Sequence, residues 1–185
     1  VQQSLSDGIV TARYSRKDGS SLCMKAWCAA TQNTVVVELE AVQGAVDFDC
    51  FFALAEGMDS QNSAGEEKGI NWFVRKFEGK DLEWPSAVAV AFSSTETENT
   101  KFSLEAGEKT TLLLSFCSNH DSPDYTQEAV NRVANVKKAG IVDLYKQHKA
   151  WWINFWRASQ VVLNDSFLEK YYYGSQYLLA CCSRD

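Results

Sequence analysis

Asp47 and Asp49 are the carboxylates best spaced for paired acid–base work, alternating with Val46, Phe48 and Cys50 in a strand-like run. Two positions along a strand put them about 7 Å apart. A general acid and a general base could share that gap, as in glycoside hydrolysis. The same alternation, apolar then acidic, also marks an ordinary solvated strand face, and that is the reading preferred here. Glu66 and Glu67 sit in the polar, glycine-containing stretch 56–69, which reads as a mobile loop. Only two histidines are present. Neither His120 nor His148 has a second histidine at helical ligand spacing, and there is no Cys-x-x-Cys pair. His120 precedes Asp121-Ser122-Pro123 in a helix-start turn, and His148 on an aromatic helix face reads as packed and hydrogen-bonded. Neither a Gly-x-Ser-x-Gly elbow nor a phosphate loop nor a dinucleotide fingerprint occurs. No catalytic, cofactor-binding or metal-ligating residue is assigned, and no cofactor is expected.

Aromatic residues gather near the C-terminal end: Trp151, Trp152, Phe155 and Trp156, then Tyr171-Tyr172-Tyr173 and Tyr177. Tryptophan and tyrosine faces can stack on pyranose rings, so the cluster could be a sugar platform. Its rings recur at helical spacing around two helices, however, which favours a plug buried between domains. Trp151, Trp152, Phe155, Trp156 and Tyr172 are therefore read as structural residues of a domain interface. Trp72 and Trp84, near loops of the preceding region, read as better placed for a solvent-facing ligand contact.

The elements that position these residues change character near residue 120. Before it the period is two: 7–14, 20–29, 34–42, 46–52, 70–77, 87–92, 101–104 and 110–116 read as about eight strands. The run Ala87 to Phe92 has no polar face and reads as a central strand covered on both sides. Short loops and the lack of intervening helices argue for an antiparallel sandwich. After Phe116 the period becomes helical. Ser122 caps a first helix with Pro123 in its first turn, and Gly140 stops it. Leu144, His148, Trp152 and Phe155 share a stripe on a second helix. Asn164-Asp165 caps a third, whose Phe167, Leu168, Tyr171, Tyr172, Leu178 and Leu179 form a broad apolar face that must bury against something.

At 185 residues and 45% apolar, the chain can build a sizeable core. Its net charge of -6 and the lack of a basic run disfavour nucleic acid and anionic membranes as partners. No apolar run is long enough to span a bilayer. Six cysteines are present; Cys23 and Cys28 would lie about 16 Å apart along one strand, and all six read as small buried hydrophobes.

The combination Trp151-Trp152-x-x-Phe155-Trp156-x-x-Ser159, a short strand-like Val161-Val162-Leu163, then Leu168-Glu169-Lys170-x-Tyr172-Tyr173 and Tyr177-Leu178-Leu179-Ala180-Cys181-x-Ser183-Arg184 resembles one family group. It is similar to the domain junction of bacterial glycoside hydrolases of the α-L-fucosidase type (glycoside hydrolase family 95) and their six-hairpin relatives. Leu104 to Leu112 and Ser118-Asn119-His120-Asp121 likewise resemble the last strands of their N-terminal supersandwich. The resemblance implies a mainly β fold with C-terminal helices: a galactose-mutarotase-like antiparallel β-sandwich, linker helices and the start of an (α/α) hairpin barrel. It divides the chain into a sandwich over 1–120, incomplete at its N-terminus, a helical linker over 121–160 and a first barrel helix over 161–185. The family's catalytic carboxylates fall beyond this chain, so the implied role is the non-catalytic N-terminal portion of an enzyme cleaving glycosidic bonds. The implied partners are a carbohydrate substrate and the remainder of the barrel, in the periplasm or outside a bacterial cell. The alternatives are a stand-alone carbohydrate-binding or adhesion module and a bare scaffold.

Overall fold

The computed structural model describes residues 1–50, 60–77, 85–94 and 101–183. The strands are β1 (Gln2–Ser4), β2 (Ile9–Ser15), β3 (Ser21–Cys28), β4 (Thr34–Gln43) and β5 (Val46–Asp49). They continue with β6 (Gln61–Glu67), β7 (Ile70–Phe77), β8 (Ser86–Ser94), β9 (Lys101–Leu104) and β10 (Lys109–Ser118). Three helices follow: α1 (Tyr125–Ala139), α2 (Ile141–Ala158) and α3 (Ser166–Cys182).

Eight strands form one antiparallel sheet in the order β1-β2-β3-β4-β10-β8-β7-β6, and β5 pairs with β9 as a separate ribbon. The hairpin between β2 and β3 turns on Asp18 and Gly19. The Asp18 carboxylate accepts from the Ser20 amide at 2.8 Å and hydroxyl at 2.7 Å, and Gly19 takes a left-handed φ of +88°.

Side-chain alternation sends the main sheet's residues to two different layers. On one face Leu39, Leu112 and Phe92 pack with Phe102 and Phe48 of the ribbon, making the sheet-on-sheet core. On the other, Trp27, Val36, Val74, Ala89, Ala91 and Leu113 pack under α1 and α2. Helix α1 supplies Ala129, Val130, Val133 and Val136, the i, i+1, i+4, i+7 stripe of a helix lying flat on a sheet. The small Ala89 and Ala91 let it approach closely. Arg132 fixes its direction, donating to the Phe116 carbonyl at 2.9 Å while paired with Glu128 at 3.0 Å. The antiparallel β-sandwich followed by helices is therefore the fold, with layers of unequal size.

Several local expectations change. The stretch 61–67 is strand β6, not loop, because pairing with β7 satisfies its backbone despite its polar side chains; 56–59 lie outside the described residues. Strand β5 ends at Asp49, and 51–52 also lie outside them. Strand β8 is central by pairing, yet Val88 remains 41% exposed, so only its later half is covered on both sides. Val161 to Leu163 form no strand, for they find no ladder partner. Asp124 rather than Ser122 is the N-cap of α1, and the Ser122 hydroxyl accepts from the Asp124 amide at 3.2 Å. Of the cysteines only Cys117 is buried; Cys28, Cys181 and Cys182 are exposed, and none of the six is in a disulfide. No helix among the described residues is long and apolar enough to cross a membrane.

Candidate functional site: an aromatic seam

The second helix starts where the first stops, at Gly140 with φ +81°. That single left-handed residue turns the chain so that Leu144, His148 and Trp152 run across the β2–β3 end of the sheet. His148 is fully enclosed, and its ring lies 4.9 Å from Trp27 and 6.4 Å from Trp152. Its Nε2 sits 2.7 Å from the Asp7 carbonyl. A carbonyl only accepts, so Nε2 carries the proton.

Trp152, 5% exposed, lies directly on Gly8 of the β1–β2 turn. A β-carbon at Gly8 would fall 2.4 Å from the indole Nε1, and the residue's φ of +61° also favours glycine. The indole stacks on Tyr177 of α3 at 5.3 Å and 17°, and on Trp156 at 6.0 Å and 22°. Trp156 donates from Nε1 to the Leu5 carbonyl at 3.2 Å and meets the edge of Tyr173 at 5.8 Å. Trp151 and Phe155 form a parallel stack at 5.4 Å and 7° on the half-exposed flank. Tyr172 reaches back across the α2–α3 connection to hydrogen-bond Ser159. Beside it the Tyr173 hydroxyl accepts from the Val161 amide at 3.1 Å and donates to the Val161 carbonyl at 2.8 Å. Helix α3 starts on Asp165, whose carboxylate accepts from the amides of Phe167 and Leu168.

The five residues singled out in the sequence thus gather at one place, where the β1–β2 turn, α2 and α3 meet. Sequence reading missed Leu5, Asp7 and Gly8: the first two supply backbone carbonyl acceptors and Gly8 a bare surface for the rings. Their only local signal is the Asp7-Gly8 dipeptide, which marks a turn but not what lands on it. Trp27 and Tyr145 were missed too. Their rings meet edge-on at 5.3 Å, and Lys25 lies 4.1 Å above Tyr145 while bonded to Glu38 at 2.8 Å. Burial pushes the Tyr177 phenol up, against a hydrogen bond with Gln3 that lowers it.

The other sequence candidates lie elsewhere. Asp47 and Asp49 are exposed on β5, and His120 is exposed in the turn before α1. Glu67 is half-buried on β6, next to Lys68 at 3.4 Å. Trp72 does not face solvent freely: it packs over Gly65 and against the helix-side core. Trp84 lies outside the described residues. No group of three or more His, Cys, Asp or Glu able to hold a metal occurs among the described residues. The seam's chemistry is that of rings and single hydrogen bonds, which fix geometry.

No protein-family model matches the chain, and no curated protein matches it in sequence. Among solved structures its fold is similar to that of a protein assigned as a kojibiose phosphorylase, from human microbiome, with a TM-score of 0.64 at 12% identity. The likeness covers 96% of this chain and 26% of that protein, so the chain spans about a quarter of the neighbour's length.

Proposed function

We propose that this chain is the N-terminal, non-catalytic portion of a carbohydrate-active enzyme related to the glycoside hydrolases. The observation that carries the reading is the fold likeness along 96% of the chain to a protein assigned as a kojibiose phosphorylase. Within that class the motifs from residue 104 onward resemble the α-L-fucosidase type and its six-hairpin relatives. On this reading 1–120 is the sandwich domain, 121–160 the helical linker and 161–185 the first helix of a barrel bearing the catalytic carboxylates. The exposed apolar face of α3 supports that division, since Phe167, Tyr171 and Leu178 are 67%, 69% and 63% exposed and a neighbouring helix would cover them. Substrate oligosaccharide and the remaining barrel are then the partners, in a periplasmic or extracellular setting.

The aromatic seam has an architectural role in this reading. It joins sandwich and barrel through Trp152 and Trp156, which sets where the sandwich edge stands relative to the barrel mouth. The test is to extend the reading frame past Asp185 and assay both products on fucosides and glucobioses, with and without phosphate. The longer protein is expected to cleave one of them and the present chain none. Activity in the present chain, or an extended frame lacking helical hairpins, overturns the proposal. In the active protein, replacing Trp152 and Trp156 by Ala should lower the melting temperature well before it alters substrate preference. Unchanged melting removes the architectural role.

A further inference from the structure

The helix-bearing face of the main sheet is not wholly roofed. Beside α2 it leaves a concave groove of about 580 Å³, a volume suited to a small ligand. Its floor is two cross-strand rungs fixed by register. Arg13, Cys23, Glu40 and Lys109 face one another across β2, β3, β4 and β10. Thr11, Lys25 and Glu38 form the next rung on the same face, about 7 Å away.

Each rung carries one ion pair, Lys109–Glu40 at 3.0 Å and Lys25–Glu38 at 2.8 Å. The second is half-sheltered, and Trp27 also donates to the Glu38 carboxylate at 3.2 Å. Arg13 is the cation left over: among the described residues no carboxylate pairs with it. Its Nη2 donates to the buried Ser21 hydroxyl at 3.1 Å, which steadies the guanidinium while leaving its other donors toward the groove.

Among the described residues no aromatic ring lines the cavity, and recognition there rests on its charged groups. An ammonium and a carboxylate held side by side match a hydroxyl that accepts from one and donates to the other. A planar guanidinium without a partner matches a carboxylate. We propose that this groove binds an acidic saccharide, its carboxylate on Arg13 and its hydroxyls on the Lys25–Glu38 and Lys109–Glu40 pairs. The sugar component rests on the carbohydrate-related reading above, whereas the preference for one anionic group rests on Arg13 alone.

The test is calorimetric titration of this chain with cellobiouronic acid, with cellobiose as the same disaccharide lacking the carboxylate, and with lactate as a carboxylate lacking the sugar. Cellobiouronic acid should bind and shift the backbone amides of β2, β3 and β4. Cellobiose and lactate should each bind more weakly by about tenfold or more, the scale of one lost charged hydrogen bond. Arg13→Ala should weaken cellobiouronic acid by a similar factor in a protein that still melts cooperatively, since Arg13 is exposed and the contact it loses is one hydrogen bond to Ser21. No binding, equal binding of cellobiose or lactate, or full affinity in Arg13→Ala overturns the proposal. A catalytically active extended protein combined with any of those results would overturn the groove alone and leave the enzyme reading standing.

Discussion

Helices α1 and α3 are nearly equal in length, at 15 and 17 residues, yet they meet the molecule in opposite ways. α1 buries Ala129, Val130, Val133 and Val136 on a sheet face of alanines and valines, with Ala129 and Val133 wholly enclosed. α3 buries only Ala180, and is held by Tyr177 on Trp152, Tyr173 beside Trp156 and Tyr172 at Ser159. Its remaining large apolar side chains face outward. α1 is thus an integral layer of the fold, whereas α3 is attached along one rim and carries a surface larger than its own chain covers.

The contrast can be broken most severely at Val133. Val133→Asp places an unpaired carboxylate in the sheet–helix core, and its cost of several kcal/mol should abolish cooperative thermal unfolding. A mutant that still melts cooperatively near the parent temperature would contradict the description of α1. Trp152→Ala comes next, with an expected loss of about 3–5 kcal/mol in urea unfolding. It should also release Tyr177, read as faster amide exchange along α3. If α3 exchange were unchanged, the helix would be held by something other than the seam.

Phe167→Ser sharpens the same comparison by its small size. In the present chain the exposed ring should cost within about 0.5 kcal/mol. In a longer protein whose next helix covers α3 the same change should cost about 3–5 kcal/mol. Equal small costs in both would show that α3 stays uncovered. The smallest effect concerns the turn that launches α1. The Asp121 carboxylate accepts from the Ser118 hydroxyl at 2.7 Å and amide at 2.9 Å, and these bonds hold its pKa below the ordinary aspartate value. A depressed folded pKa stabilises above the unfolded value of about 3.9, and that contribution is lost as pH falls through the folded one. Asp121→Asn should therefore lower the melting temperature slightly at pH 6 and flatten its decline below about pH 4. Parallel melting curves for parent and mutant across that range would deny the turn this role.

Much of the sandwich was legible because its strands obey period two and the turn between β2 and β3 carries the Asp18-Gly19 signal. Thr34 to Val42 and Thr110 to Phe116 alternate so plainly that their elements follow from the residues alone. Strand β6 was hidden because Gln61 to Glu67 has no apolar face; only the presence of β7 beside it makes a strand of that sequence. The seam residues were legible as rings too large for water, and the capping Asp165 as a helix start. Their partners were not, because Trp156 meets Leu5 and His148 meets Asp7 across more than 140 positions of chain. The groove was invisible for the same reason: Arg13, Glu40 and Lys109 share a surface only through the register of four strands.

The sequence by itself determined the periods, the caps and the surplus of aromatic surface, since these depend on residues within a few positions of one another. Tertiary structure alone decided that Trp152 rests on Gly8, that Trp27 faces His148, and that β10 inserts between β4 and β8. Those outcomes depend on which distant backbone offers a bare carbon, a free carbonyl or an unfilled ladder, and no local pattern encodes that choice.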